Sequence, residues 1–143
     1  MSERTMTPDF STLEVPWDMW SEPFWKAAAE HRVIMPRCTH CATFHWPASP
    51  FCFVCQSQQF EWAPAGQARL YSYTVLPVPG EDKTAPPTHR APAVVEFDEA
   101  KGVRLVSVLI DAPLDAIAIG EPIDIDWLPA ANATVPVFRL KSK

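Results

Sequence analysis

From Gly66 onward, hydrophobic and polar positions alternate with the period of two that a pleated strand imposes. Tyr71, Tyr73 and Val75 alternate with Leu70, Ser72 and Thr74 and predict a first strand. Ala93-Val-Val-Glu-Phe97 predicts a second. Val103 to Ile110 predicts a third, apolar enough to be buried on both faces. Ile123, Ile125 and Trp127 alternate with Asp124 and Asp126, which predicts a half-buried fourth strand with both carboxylates on the solvent face. Val137-Phe-Arg-Leu140 predicts a short fifth. Between the third and fourth, Ala112 to Gly120 reads as a turn of helix ended by glycine. Five strands with a short helix before the fourth describe a small closed barrel of the OB type over residues 65–143.

Upstream the period changes. Trp17 to His31 predicts a helix over about 22 to 31. Ser21 stands as its N-cap, Pro23 lies in its first turn and Glu22 suits its positive end. Phe24, Trp25, Ala28 and Ala29 are its apolar residues. Residues 1 to about 16, with Pro8 and Pro16 and no period, read as a flexible or extended arm, so 1–32 is an arm plus a helix. Residues 33–64 are a separate small unit. Val33 to Arg37 and Phe44 to Trp46 predict short strands, Pro47 and Pro50 shape a loop, and Phe60-Glu-Trp62 leads out. The expected architecture is mainly β.

That small unit holds the four cysteines of the chain, as Cys38-Thr-His-Cys41, ten residues, then Cys52-Phe-Val-Cys55. Each Cys-x-x-Cys forms a tight knuckle that aims two thiolates at one point, and two knuckles complete a tetrahedron. The spacing is that of a zinc ribbon with one zinc on Cys38, Cys41, Cys52 and Cys55. Two disulfides would need an oxidising compartment, and the polar start MSERTMTPDF is no export signal; the expectation is cytoplasmic. A redox dithiol would explain one pair and leave the other idle. His40 and His45 lie beside the ligands, but four cysteines close the shell. A closed shell keeps no position for water, so the metal is expected to be structural and to hold a segment too small to build its own core.

Composition narrows the function classes. A net charge of −5 argues against a general nucleic-acid binder, although many zinc ribbons bind nucleic acids. No apolar run approaches membrane-spanning length. Sixteen prolines against four glycines fit a loop-rich β protein. His31 to Phe60 contains no acidic residue but does contain Arg32 and Arg37, which suits an anion or an acidic partner surface as well as it suits a segment poor in charge. Lys83, His89 and Arg90, in a proline-rich loop from Lys83 to Pro92, are a weak anion signal that simple solvation also explains. No Gly-rich phosphate loop, nucleophile elbow or other catalytic constellation stands out.

The ordered motifs then resemble one known family. They run from the aromatic helix and Cys-x-x-Cys through Trp46-Pro47, the second Cys-x-x-Cys, Phe60-Glu61-Trp62 and Tyr71-Ser72-Tyr73-Thr74-Val75. They continue through Ala93-Val94-Val95-Glu96-Phe97-Asp98 and Ile119-Gly120-Glu121-Pro122-Ile123 to Pro136-Val137-Phe138-Arg139. Over residues 17 to 140 this is similar to small acyl-CoA-associated proteins with a rubredoxin-like zinc ribbon joined to an OB-fold, long catalogued as a domain of unknown function. One departure is Ala42, where relatives often carry a glycine able to adopt positive φ.

The resemblance implies an accessory role. Such proteins accompany thiolase-like enzymes, including thiolases and aldolases that shorten steroid side chains, and in some cases a hot-dog-fold hydratase. The partner carries the nucleophile and bases, while the zinc–OB protein shapes the complex and can border its acyl-CoA channel. A homodimer within such a hetero-oligomer is compatible with it. Lys83, His89 and Arg90 are then candidate CoA contacts. Trp20, Phe24, Trp25, Arg37 and Trp46 are candidate interface residues, since Trp and Arg are over-represented at hot spots; packing of the helix on the barrel is the competing explanation. The contrasting function is a nucleic-acid-binding zinc-ribbon/OB protein, disfavoured by the net acidity.

Overall fold

A computed structural model describes residues 3–80, 82 and 84–141. Its element order is α1 (Glu22–Ala29), β1 (Ile34–Cys38), β2 (Phe60–Pro64), β3 (Ala68–Tyr73), β4 (Leu76–Val78), β5 (Thr88–Phe97), β6 (Arg104–Leu109), β7 (Pro122–Pro129) and β8 (Thr134–Leu140). A single 3-10 turn, Leu114–Ala116, precedes β7. Antiparallel β1 and β2 form a two-stranded ribbon, Ile34 opposite Pro64 and Cys38 opposite Phe60.

The remaining strands run in the order β3-β7-β8-β6-β5-β4, and a further β3–β5 pairing closes the ring. The closure leaves five barrel strands, with β6 and β8 parallel at Leu109 and Phe138 and the other neighbours antiparallel. This is the OB arrangement expected from the alternating pattern, with the short helical turn in its expected place.

The strand periodicity holds with two corrections. The third strand is buried on one face only, because a closed barrel has an interior and a solvent side. Leu105 and Leu109 point inward, whereas Val106, opposite Val94, is 70% exposed. In β3 the register slips between Leu70 and Ser72. Tyr71 is thereby turned out, where Arg104 lies 3.9 Å over its ring, and Leu70 and Tyr73 turn toward the barrel core.

The stretch read as a proline-rich loop is partly strand. β4 pairs with the start of β5, placing Pro77 on an edge strand, where a missing N–H is tolerated. Pro92 sits where β5 passes from pairing with β4 to pairing with β3.

The helix ends two residues before His31. Arg32 N–H donates to the Ala27 carbonyl and His31 N–H to the Ala28 carbonyl, both at 2.9 Å. His31 takes φ 61, so it fills the left-handed closing position usually given to glycine. Its ring stacks on Trp127 at 5.3 Å, which fastens the helix end to β7. Ser21 occupies the N-cap position without a side-chain cap; its backbone N–H donates to Asp18 Oδ1 at 2.6 Å.

The N-terminal arm is extended and tied down at both ends. Thr5 N–H donates to the Ala112 carbonyl and Met6 N–H to the His89 carbonyl, while Thr5 itself is buried. Farther along, Val15 and Asn132 exchange two hydrogen bonds at 2.7 and 2.8 Å.

Phe24 from the helix and Met35 from β1 share one apolar cluster with Leu70, Val95, Leu109, Ile123 and Phe138 of the barrel. The helix and the base of the ribbon therefore rest on the barrel.

Candidate metal centre and the surfaces around it

The ribbon carries two knuckles built alike. In the first, Ala42 N–H donates to the Cys38 carbonyl at 2.9 Å and Cys38 N–H to the Thr43 carbonyl at 2.8 Å. In the second, Gln56 N–H donates to the Cys52 carbonyl at 2.9 Å and Cys52 N–H to the Ser57 carbonyl at 2.8 Å. Each turn requires one left-handed residue, and Ala42 (φ 67) and Gln56 (φ 65) provide it. Ala42 in place of glycine therefore leaves the knuckle geometry intact.

The four sulfurs converge. All lie within 4.8 Å of one another, with Cys38 and Cys55 3.6 Å apart and Cys41 and Cys52 3.5 Å apart. A tetrahedron with Zn–S of about 2.3 Å has edges of about 3.8 Å, whereas a disulfide is about 2.05 Å long. All four cysteines are free, so the donor set fits a tetrahedral soft cation.

Electrostatics agree. The Thr43 hydroxyl, followed by the Thr43 N–H, holds Cys41 down to about 6. The Cys41 N–H is the main group lowering Cys38. The Ser57 N–H pulls Cys55 down, but burial and the adjoining sulfurs of Cys38, Cys41 and Cys52 push it up to about 12. Four thiols this close cannot all ionise on their own, and a divalent cation at their centre removes the conflict.

Two further residues shape the module. His45 is 2% exposed, and Nδ1 and Nε2 of its ring both lack a hydrogen-bond partner. Its ring meets Phe53 edge-on at 4.4 Å and Phe60 at 5.4 Å. Burial lowers its pKa, which favours the neutral ring. Phe51, Phe53 and Val54, around the second knuckle, are 52%, 74% and 58% exposed. The signal for this surface is in the sequence: the central pair of the first knuckle is Thr39-His40, and that of the second is Phe53-Val54.

The expected interface residues separate. Phe24 is fully buried and meets Trp46 at 4.3 Å and Trp25 at 4.9 Å, so Phe24 is a core residue with no surface to offer a partner. Trp25 and Trp46 are half-buried against that core. Trp20 is 43% exposed, beside exposed Trp17 and Met19. Arg37 pairs with Glu61 across the ribbon.

Of the expected anion contacts, His89 and Arg90 do not converge. Lys83 lies outside the described residues. His89 and Arg90 are successive strand residues, and their side chains leave opposite faces. His89 Nε2 lies 3.6 Å from Glu3 Oε2 and is largely covered; Arg90 is exposed.

Comparison with known proteins adds the following. A family model described as the ChsH2 rubredoxin-like zinc ribbon domain matches residues 25–61, and one described as the ChsH2 C-terminal OB-fold domain matches residues 63–128. A chain of the solved structure "Ltp2-ChsH2(DUF35) aldolase" is 33% identical, with a TM-score of 0.72 over 89% of this chain and 98% of that one. A protein of unknown function from the DUF35 family of Sulfolobus solfataricus is 18% identical, with a TM-score of 0.62 over 86% of each chain, and shares the fold. Among curated proteins, the "Probable enoyl-CoA hydratase alpha subunit" of Thermomonospora curvata is 38% identical over 122 residues, 81% of this chain. This chain spans 36% of that relative's length.

Proposed function

The chain belongs to the ChsH2 family, in which a rubredoxin-like zinc ribbon precedes an OB-fold, and from that premise we propose that it is a non-catalytic subunit of a thiolase-like enzyme acting on acyl-CoA. The observation that carries this reading is the likeness over 98% of a chain from an Ltp2-ChsH2 aldolase, at 33% identity. The partner, a thiolase or a thiolase-like aldolase of the steroid side-chain type, supplies the chemistry. In this reading Cys38, Cys41, Cys52 and Cys55 hold one structural zinc, and their closed shell leaves no metal-bound water to act as a nucleophile. Of the two described residues among the expected contacts, Arg90, exposed on β5, is the better placed to meet the phosphates of CoA. Trp20 and the half-buried Trp25 and Trp46 border the partner.

The hydratase name of the Thermomonospora relative belongs to a protein much longer than this chain, and a hot-dog-fold hydratase is the second partner class it supports. A nucleic-acid role has less behind it. The net charge is −5, and Arg69 and Arg139 of the barrel are each paired with carboxylates. The test is co-expression with a thiolase-like protein encoded beside this one. A stable complex is expected, with aldol or thiolytic turnover only when both chains are present. Failure to associate with any thiolase-like or hydratase-like neighbour contradicts the reading.

A further inference from the structure

The second zinc knuckle places three apolar side chains in solvent. Phe51, Phe53 and Val54 expose roughly 350 Å² of apolar surface between them, within the range of functional patches. Phe53 lies edge-on against His45 yet stays 74% exposed, so packing within the module accounts for little of its apolar surface. The equivalent pair in the first knuckle is polar.

The charge around the patch defines what it fits. No carboxylate lies between His31 and Phe60, and the two arginines there are each neutralised, Arg32 by Glu30 and Arg37 by Glu61. The patch is therefore apolar and overlies a four-thiolate zinc site of net negative charge, which makes it unsuited to phosphate or to an anionic lipid surface and complementary to an apolar cleft. A second copy seated on it would bury far less than the roughly 800 Å² per partner of a stable interface. It is better suited as one anchor within a larger, unlike surface.

Beneath Phe53 lies the second, independent observation. His45 is buried, and both ring nitrogens lack partners. Leaving such buried groups unpaired is unfavourable, because they lose water and gain no partner. The side chain that covers it edge-on is the 74% exposed Phe53. A turn of Phe53 into a cleft would open His45, whose neutral ring offers one donor and one acceptor at the floor of the contact.

We propose that the second knuckle is the docking anchor of this chain: Phe51, Phe53 and Val54 enter an apolar cleft of the thiolase-like partner, and His45 hydrogen-bonds to the partner beneath them. The inference rests on the accessory-subunit reading and adds the docking site to it.

The experiment measures affinity of the full-length zinc-loaded chain for the thiolase-like protein encoded beside it. The variants are Phe53→Ser with Val54→Ser, Phe51→Ser alone, and His45→Phe; zinc content and melting temperature are recorded for each. The double variant is expected to weaken binding tenfold or more at unchanged zinc content, and Phe51→Ser and His45→Phe at least threefold each. Variants within twofold of wild type, while wild type binds, overturn the docking site and leave the accessory reading standing. Loss of self-association of the isolated chain in the double variant, with partner binding retained, assigns the patch to a second copy and also overturns it. No binding by wild type overturns the accessory reading itself.

Discussion

Ala42 and Gln56 occupy equivalent places in the two knuckles, each directly after a second cysteine and each left-handed, with φ of 67 and 65. In each, the N–H donates to the carbonyl of the first cysteine of its pair at 2.9 Å. A side chain in this region costs roughly 1–2 kcal/mol that glycine does not incur, partly offset by the greater freedom glycine gains on unfolding. Ala42→Gly is therefore expected to stabilise the zinc-loaded protein by about 0.5–1 kcal/mol. Denaturant titration at saturating zinc measures it, and a clear loss of stability would show that Ala42 is held by something other than its backbone.

Metal removal should act on the ribbon first. One equivalent of zinc per chain is expected, and Cys55→Ser should lose it. Structural zinc in small modules contributes about 10–16 kcal/mol of apparent binding free energy, comparable to the whole stability of a domain. Chelation should therefore expose the amides of β1 and β2 to hydrogen exchange before those of β5 and β7. A protein that stays fully protected with less than half an equivalent of zinc would contradict the assignment.

The aromatic residues near the helix should divide by burial. Phe24→Ala removes a core ring and is expected to cost about 3–5 kcal/mol in the isolated chain. Trp20→Ala should change stability by less than about 1 kcal/mol, because the ring is substantially exposed. Equal losses from the two, measured by thermal melting, would show that Trp20 is a packing residue as well.

Acid should weaken the barrel through Asp126. The Arg139 guanidinium, donating at 2.6 Å, is the main group holding this carboxyl below its ordinary value, helped by the Trp127 N–H. A depressed folded pKa means a contribution fully present above the unfolded value of about 3.9 and lost as pH falls through the folded one. Asp126→Asn should thus be less stable than wild type at pH 7, with the gap closing below about pH 4. A gap independent of pH would mean that the carboxylate charge contributes nothing.

What could be read from the chain follows from which interactions are local. Ile123, Ile125 and Trp127 alternate because one strand meets one core, and the two Cys-x-x-Cys turns are complete within a few residues; both were legible. The bulge at Tyr71 and the exposure of Val106 depend on barrel closure, which no single strand encodes. The arm lacks any period because backbone hydrogen bonds to Ala112 and His89, and side-chain bonds from Asn132, hold it. Phe24 read as an interface residue because composition alone cannot tell an aromatic ring against a core from one against a partner. Arg90 and His89 looked like one cluster until the strand placed them on opposite faces.

The central claim is that this chain supports catalysis in a partner and performs none alone. Its most direct test is turnover of an acyl-CoA substrate by the isolated chain, by the isolated thiolase-like partner and by the reconstituted pair, each at one zinc per chain of this protein. The account predicts no turnover by this chain alone, and activity of the pair that is lost when the partner's nucleophile or base is replaced but survives substitution of single polar side chains here outside the zinc site, the docking surface and the proposed CoA contact. Turnover by the isolated chain, free of the partner, would contradict it.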